Sequence, residues 1–103
     1  MAFGIGINAQ QPGTKKPAGS YTDVACECWF TSGGRVMPLM LKVKTEDGTV
    51  KIIRKINVIS SEVKNFCGIP AVEYICEPEL EERILKNARL IFYPSDCRWT
   101  LVV

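Results

Sequence analysis

The sequence predicts a mostly β protein: a small antiparallel barrel, SH3-like or OB-like, of five to six strands. Three observations carry this. From Asp23 onward apolar side chains recur with a period of two, the signature of half-buried strands. The apolar runs are short and punctuated by Ser32-Gly33-Gly34-Arg35, Glu46-Asp47-Gly48-Thr49 and Pro94-Ser95-Asp96, all turn formers. A sheet of that size has an apolar face that it cannot hide alone, and curling into a barrel covers it. With 103 residues, 47% apolar and 23% charged, the chain has room for one domain and the material for one core. That composition excludes a disordered chain.

Residues 1–22 read as a flexible tail, and 23–103 as the single β domain. Within the tail, AQQPGTKKPAGS (9–20) is too poor in apolar residues to order itself. Phe3, Ile5 and Ile7 alternate as an edge strand would, but Gly4 and Gly6 weaken that reading. Residues 24–31, 36–44 and 49–58 are β-prone and form a three-stranded meander through the two glycine turns. If each turn is a two-residue hairpin loop, the register follows. Phe30 then faces Met37, Cys28 faces Leu39 and Cys26 faces Leu41 in the first hairpin. In the second, Leu39 faces Ile56, Leu41 faces Arg54, Val43 faces Ile52 and Lys44 faces Lys51. The predicted core face is Cys26, Cys28, Phe30, Met37, Leu39, Leu41, Val43, Ile52 and Ile56, with Arg54 its one charge. Pro38 lacks an N–H and predicts a frayed or bulged ladder beside it, opposite Asn57.

Residues 57–70 read as a connection, with Ser60 and Ser61 capping a helical turn through Asn65. Residues 71–76 alternate again, and 89–93 and 97–103 pair through the proline turn. Residues 77–87 support two structures. Pro78, the acidic first turn and the pairs Glu79 to Arg83 and Glu82 to Lys86 suit a short helix at 79–87. A hairpin turning near Glu81-Glu82 continues the meander without a break, and it is preferred.

Charge excludes a strongly basic nucleic-acid binder. Residues 23–34, 35–64, 65–82 and 83–103 carry −2, +4, −5 and +3, which cancel, so the formal excess of +2 resides in the tail. No apolar run approaches the ~20 residues that cross a bilayer, and the start lacks the basic and apolar regions of a secretory signal. A cytoplasmic setting with reduced thiols is expected.

Five cysteines and no histidine argue against most cysteine chemistry. Cys26 and Cys28 fall mid-strand rather than on a knuckle, and Cys67, Cys76 and Cys97 stand singly, so packing is expected and a zinc site is not. Without histidine the usual base for a thiol or serine nucleophile is missing; only Cys67, beside Lys64, suits a lowered thiol pKa. The run Glu73, Glu77, Glu79, Glu81 and Glu82 does not set carboxylates across a cleft, and reads as a solvated edge or a partner for the basic middle. Ser32-Gly33-Gly34-Arg35 precedes a strand, not the helix a phosphate loop needs. No catalytic residue, metal or cofactor is predicted.

The outer meander face is more informative. In the predicted register it gathers Trp29, Met40, Lys42, Lys44, Lys51, Ile53 and Lys55, a tryptophan and two apolar side chains among four lysines. This is the candidate binding surface of a non-enzymatic protein-interaction or accessory module. The alternative is a nucleic-acid module in which Trp29 stacks on a base and the lysines meet phosphate. No membrane partner is expected.

The segments CWFTSGGRVMPLMLKVKTEDG, SSEVKNFCGIPAVEYIC and ARLIFYPSDCRW resemble a group of short bacterial proteins of unknown function often found with mobile genetic elements. The likeness covers about residues 26–100. It implies a compact, mostly β cytoplasmic protein and brings no activity or functional residue with it.

Overall fold

The computed structural model describes residues 19–103, and every regular element among them is a strand. In chain order these are β1 (Tyr21–Phe30), β2 (Val36–Lys44), β3 (Val50–Ile53), β4 (Lys55–Phe66), β5 (Ile69–Leu80), β6 (Arg83–Ile84), β7 (Ala88–Tyr93) and β8 (Arg98–Val102). They form one antiparallel sheet, ordered β3-β2-β1-β8-β7-β5-β4, with β6 on the end of β5. β1 turns the corner: residues 21–24 pair with β8, and residues 25–30 pair with β2. The β1–β2–β3 layer thereby folds back until β2 approaches β4 and β3 approaches β5, giving a curled half-barrel. The predicted small β architecture is therefore present, with eight strands where five to six were expected.

The space between the layers is filled by Leu41, Ile53, Tyr74, Cys76, Ala88, Leu90, Phe92, Trp99 and Leu101. Trp99 stacks on Tyr74 at 5.8 Å and tilts against Phe92 at 4.8 Å, spacings at which aromatic pairs attract beyond their buried area. The Tyr74 hydroxyl donates to the Val36 carbonyl, so the stack also ties the two layers together by a hydrogen bond. Phe66, Ala71, Ile91, Tyr93 and Val102 make a second buried cluster. β7 thus alternates between two cores, Leu90 and Phe92 in one, Ile91 and Tyr93 in the other, which explains its unbroken apolar run.

Both glycine turns differ from the predicted form by one residue. Thr31 N–H donates to the Arg35 carbonyl at 2.8 Å and Gly34 N–H to the Thr31 carbonyl at 2.9 Å; Thr45, Thr49 and Gly48 repeat the pattern. Within these two turns only Gly34 and Gly48 have positive φ, +87° and +89°. These are three-residue loops ending in a left-handed glycine, not two-residue loops. In the second, Asp47 accepts from the Thr45 hydroxyl and from Thr49 N–H, and these bonds hold its carboxyl down at about 2.

The added loop residue moves the register. Phe30 faces Val36, Trp29 faces Met37 and Cys28 faces Pro38; a bulge then restores the expected pairs Glu27 with Met40, Cys26 with Leu41 and Ala25 with Lys42. The irregularity expected at Pro38 exists, but on the β1 side. On the other side Leu41 faces Ile53, Lys42 faces Ile52, Val43 faces Lys51 and Lys44 faces Val50. The expected pair of Leu41 with Arg54 is displaced by one residue to Leu41 with Ile53, and Leu39 with Ile56 does not form because β3 ends at Ile53. Phe30, Met37, Leu39 and Ile52, expected in the core, are exposed, and so is Arg54.

Four further expectations need correction or closure. The connection with a helical turn at 60–65 is instead β4, paired with β5 from Lys55 to Phe66 through a tight Cys67-Gly68 turn at φ +54° and +91°. Two consecutive positive-φ residues make the hairpin turn that matches strand twist, and that closure outweighs the serine caps. Residues 77–87 form the preferred hairpin, with Glu81 and Glu82 at φ +51° and +64°, and the alternative helix at 79–87 does not form. The tail boundary at 22 is too late: Tyr21 and Thr22 pair with Val102 and Leu101, and Ser20 exchanges backbone bonds with Val103 at 3.1 and 3.3 Å. The edge strand suggested by Phe3, Ile5 and Ile7 lies outside the described residues.

Candidate binding surface on the outer face of the meander

The outer face of β1–β2–β3 is set by the period of two and by the two loops. On β1, Ala25, Glu27 and Trp29 point outward; on β2, Met37, Met40, Lys42 and Lys44; on β3, Val50 and Ile52. Trp29 is 67% exposed and sits directly across from Met37, 51% exposed. Lys42 lies between Ala25 and Ile52 (40% exposed), and Lys44 beside Val50. The bulged Leu39 is also exposed.

Four of the seven predicted surface residues therefore share this face: Trp29, Met40, Lys42 and Lys44. The other three do not. Ile53 is fully buried against the core, and Lys51, on the same side of β3, reaches Glu81 in an ion pair that raises its pKa. Lys55 is exposed on β4, opposite Glu79. Lys44 faces Val50, so the like-charge pair with Lys51 is absent. Sequence reasoning missed Met37, Val50 and Ile52. The glycine turns carry both readings, and a left-handed glycine closing a three-residue loop reassigns all three residues.

The acidic stretch partly serves as partner for cations of the same chain, through Glu81 with Lys51 and Glu77 with Lys86 at 3.5 Å. Such exposed pairs are screened by solvent and add little to stability. They do place these groups away from the β1–β2–β3 outer face, whose charges are Glu27, Lys42 and Lys44.

On the concave side a cleft of about 560 Å³ runs beside Cys26, Cys28, Phe30, Phe92, Cys97 and Trp99. Two of its thiols are held protonated: burial, then the neighbouring Cys28, pushes Cys26 up to about 12, and burial and Cys97 raise Cys28. In the core, outside this cleft, burial and Glu77 raise Cys76 to about 11. A thiol held protonated is neither a good nucleophile nor a ready metal ligand. Among the described residues no group of three His, Cys, Asp or Glu side chains is arranged to hold a metal. Cys67 occupies the exposed tip of the β4–β5 turn.

These thiols give a direct check. At pH 7, iodoacetamide followed by peptide mapping will label Cys67 and Cys97 first and Cys76 last, in order of exposure. Raised folded-state pKa values for Cys26 and Cys76 contribute stability that is complete below the ordinary thiol value of 9.0 and is lost as pH climbs toward about 11 and 12. The melting temperature will accordingly fall across that alkaline window. Early labelling of Cys76 at pH 7 would contradict the core assignment.

Comparison with protein-family models, with curated proteins and with solved structures finds no match to this chain. Among the described residues no helix is long and apolar enough to cross a membrane.

Proposed function

We propose that this chain is a non-enzymatic binding module, acting in the cytoplasm, that engages a protein partner through the outer face of β1–β2–β3. The observation that carries the reading is the exposed pair of Trp29 and Met37 with Ile52 beside it. Large apolar side chains grouped on one face, rimmed by Lys42, Lys44 and Glu27, have the composition of an interface centre, where tryptophan and methionine are enriched and charge moves to the rim. The half-barrel behind this face fixes its shape, because Leu41 and Ile53 anchor its inner side.

The test is Trp29→Ala. With its ring exposed, the variant will keep its melting temperature within a few degrees, yet lose most of its affinity for the captured partner, since a central tryptophan commonly contributes 2 kcal/mol or more, about thirtyfold. A folded variant that captures its partner as well as the wild type would end the proposal. The nucleic-acid alternative retains Trp29, Lys42 and Lys44 but not Lys51, which is engaged by Glu81. Two phosphate contacts to a single strand predict roughly a sevenfold loss of affinity from 50 to 200 mM salt. Salt-insensitive binding would exclude that alternative.

A further inference from the structure

The sheet has two end strands, and they are unequal. β3 is four residues long, and Lys51 within it is tied to Glu81, so this edge is short and charged, as protected edges usually are. β4 is twelve residues long, and among the described strands only β5 pairs with it. Lys55, Glu62, Lys64 and a bulge against β5 are features that protected edges share, but its length and exposed apolar side chains make it the more adhesive of the two. It contains no proline, and Val58, Ile59 and Val63 are exposed, Val63 at 80%.

The edge is also divided. A bulge at Val58/Ser60 breaks the register with β5, and beyond it the pairing runs without interruption from Ser60 with Ile75 to Phe66 with Ile69. Bulges bend a strand, so the regular, pairable stretch is the seven residues 60–66, about 24 Å long. Its midpoint is Val63.

We propose that the occupant of this edge is a second copy of the chain, paired antiparallel through residues 60–66 about a two-fold axis at Val63. Two-fold symmetry opposes each residue with its mirror position about that midpoint. Val63 meets Val63 of the other copy, Ser61 meets Asn65, and Glu62 meets Lys64, twice. The charges are thus complementary only because they flank the axis with opposite sign. Within one chain Glu62 already holds Lys64 at 3.1 Å on the same strand face, while facing the like charge of Glu73 on β5. A second Lys64 brought opposite Glu62 adds a cation on the edge side of that carboxylate, while Glu73 keeps Arg89 at 3.2 Å. The contact is isologous and closes on itself, and it removes the longest regular edge among the described strands. It uses a different strand from the Trp29 face and does not depend on the function proposed for that face.

The experiment is sedimentation equilibrium of the full chain from micromolar to about millimolar concentration, with circular dichroism confirming the fold of every variant. The wild type is expected to reach a dimer of twice 11.5 kDa. Glu62→Lys alone, or Lys64→Glu alone, sets like charges opposite each other at both symmetric positions and will weaken the dimer about tenfold or more. The double variant Glu62→Lys/Lys64→Glu restores opposite charges and will recover dimerisation to within about threefold. Val63→Lys, at the axis, will give a folded monomer. A wild type that stays monomeric throughout, or whose edge is occupied instead by residues 1–18, overturns the proposal. So does a dimer indifferent to the single charge reversals, or one that the double reversal fails to rescue.

Discussion

Ile53→Ala will destabilise the protein by about 3 kcal/mol, within the 2–5 kcal/mol span of such truncations, while Ile52→Ala, one residue away, will change stability by no more than about 0.5 kcal/mol. Ile53 is fully buried and lies directly across from the equally buried Leu41. Together they close the β2–β3 side of the core over Tyr74 and Cys76. Removing the outer carbons leaves a cavity that β3 can collapse around only partly, because the strand is tethered by its loop to β2 on one side and by Arg54 to β4 on the other. Leu41→Ala will cost a similar amount, and because the two side chains oppose each other the double variant will fall short of the sum. For a domain of this size 3 kcal/mol corresponds to a drop of roughly 12–24 °C in melting temperature. A larger loss at Ile52 than at Ile53 would mean that the two-residue loop register is the true one.

That comparison isolates how much of the architecture was legible in the sequence. The alternation of residues 24–31 and 36–44 located both strands, and the expected pairing of Cys26 with Leu41 is met because a bulge offsets the longer loop. The hairpin at Glu81-Glu82 was likewise readable, since a continued meander places a turn there whatever the helix propensity of the segment. The loops hid the rest. Asp-Gly and Gly-Gly each suit a two-residue turn and also the closing glycine of a three-residue turn, and the two differ by one residue. In β1–β2 the bulge near Pro38 absorbs that difference, so the outer assignment of Trp29, Met40 and Lys42 survives. In β2–β3 nothing absorbs it, and Ile52 and Ile53 exchange faces. The expected faces are therefore met beyond the bulge, while Met37 before it and Ile52 and Ile53 across β2–β3 take the opposite face.

β4 illustrates a different limit. Ser60, Ser61 and Glu62 carry helix-starting chemistry, and nothing local reveals that residues 71–76 lie ready to pair with them. A strand set by a partner distant in the sheet is fixed by tertiary pairing more than by propensity. The same holds for β7, whose two buried faces exist only because β5 and β8 flank it.

Arg89→Ala will prove nearly as damaging as the core truncations, although it changes a partly exposed side chain. Arg89 Nη1 lies 3.2 Å from Glu73 Oε1, and the Glu73 side chain is only 7% exposed. On β5, Glu73 sits between Ile91 on one side and Glu62 on the other, so its carboxylate has an apolar neighbour and a like charge across the strands. Taking away the guanidinium leaves that charge buried without its cation. Breaking a buried pair costs 3–5 kcal/mol; with Arg89 more than a third exposed, screening reduces the expected loss to about 2–3 kcal/mol. The decisive comparison is Arg89→Ala with Arg89→Ala/Glu73→Gln. If the uncompensated charge is the cause, the second substitution will raise the melting temperature of the first, since it removes the charge while keeping the side chain's shape and its capacity to hydrogen-bond. A double variant no more stable than Arg89→Ala alone would mean that Arg89 acts through the packing of its aliphatic stem over Ile75 and Val102, its cross-strand neighbours, rather than through the carboxylate.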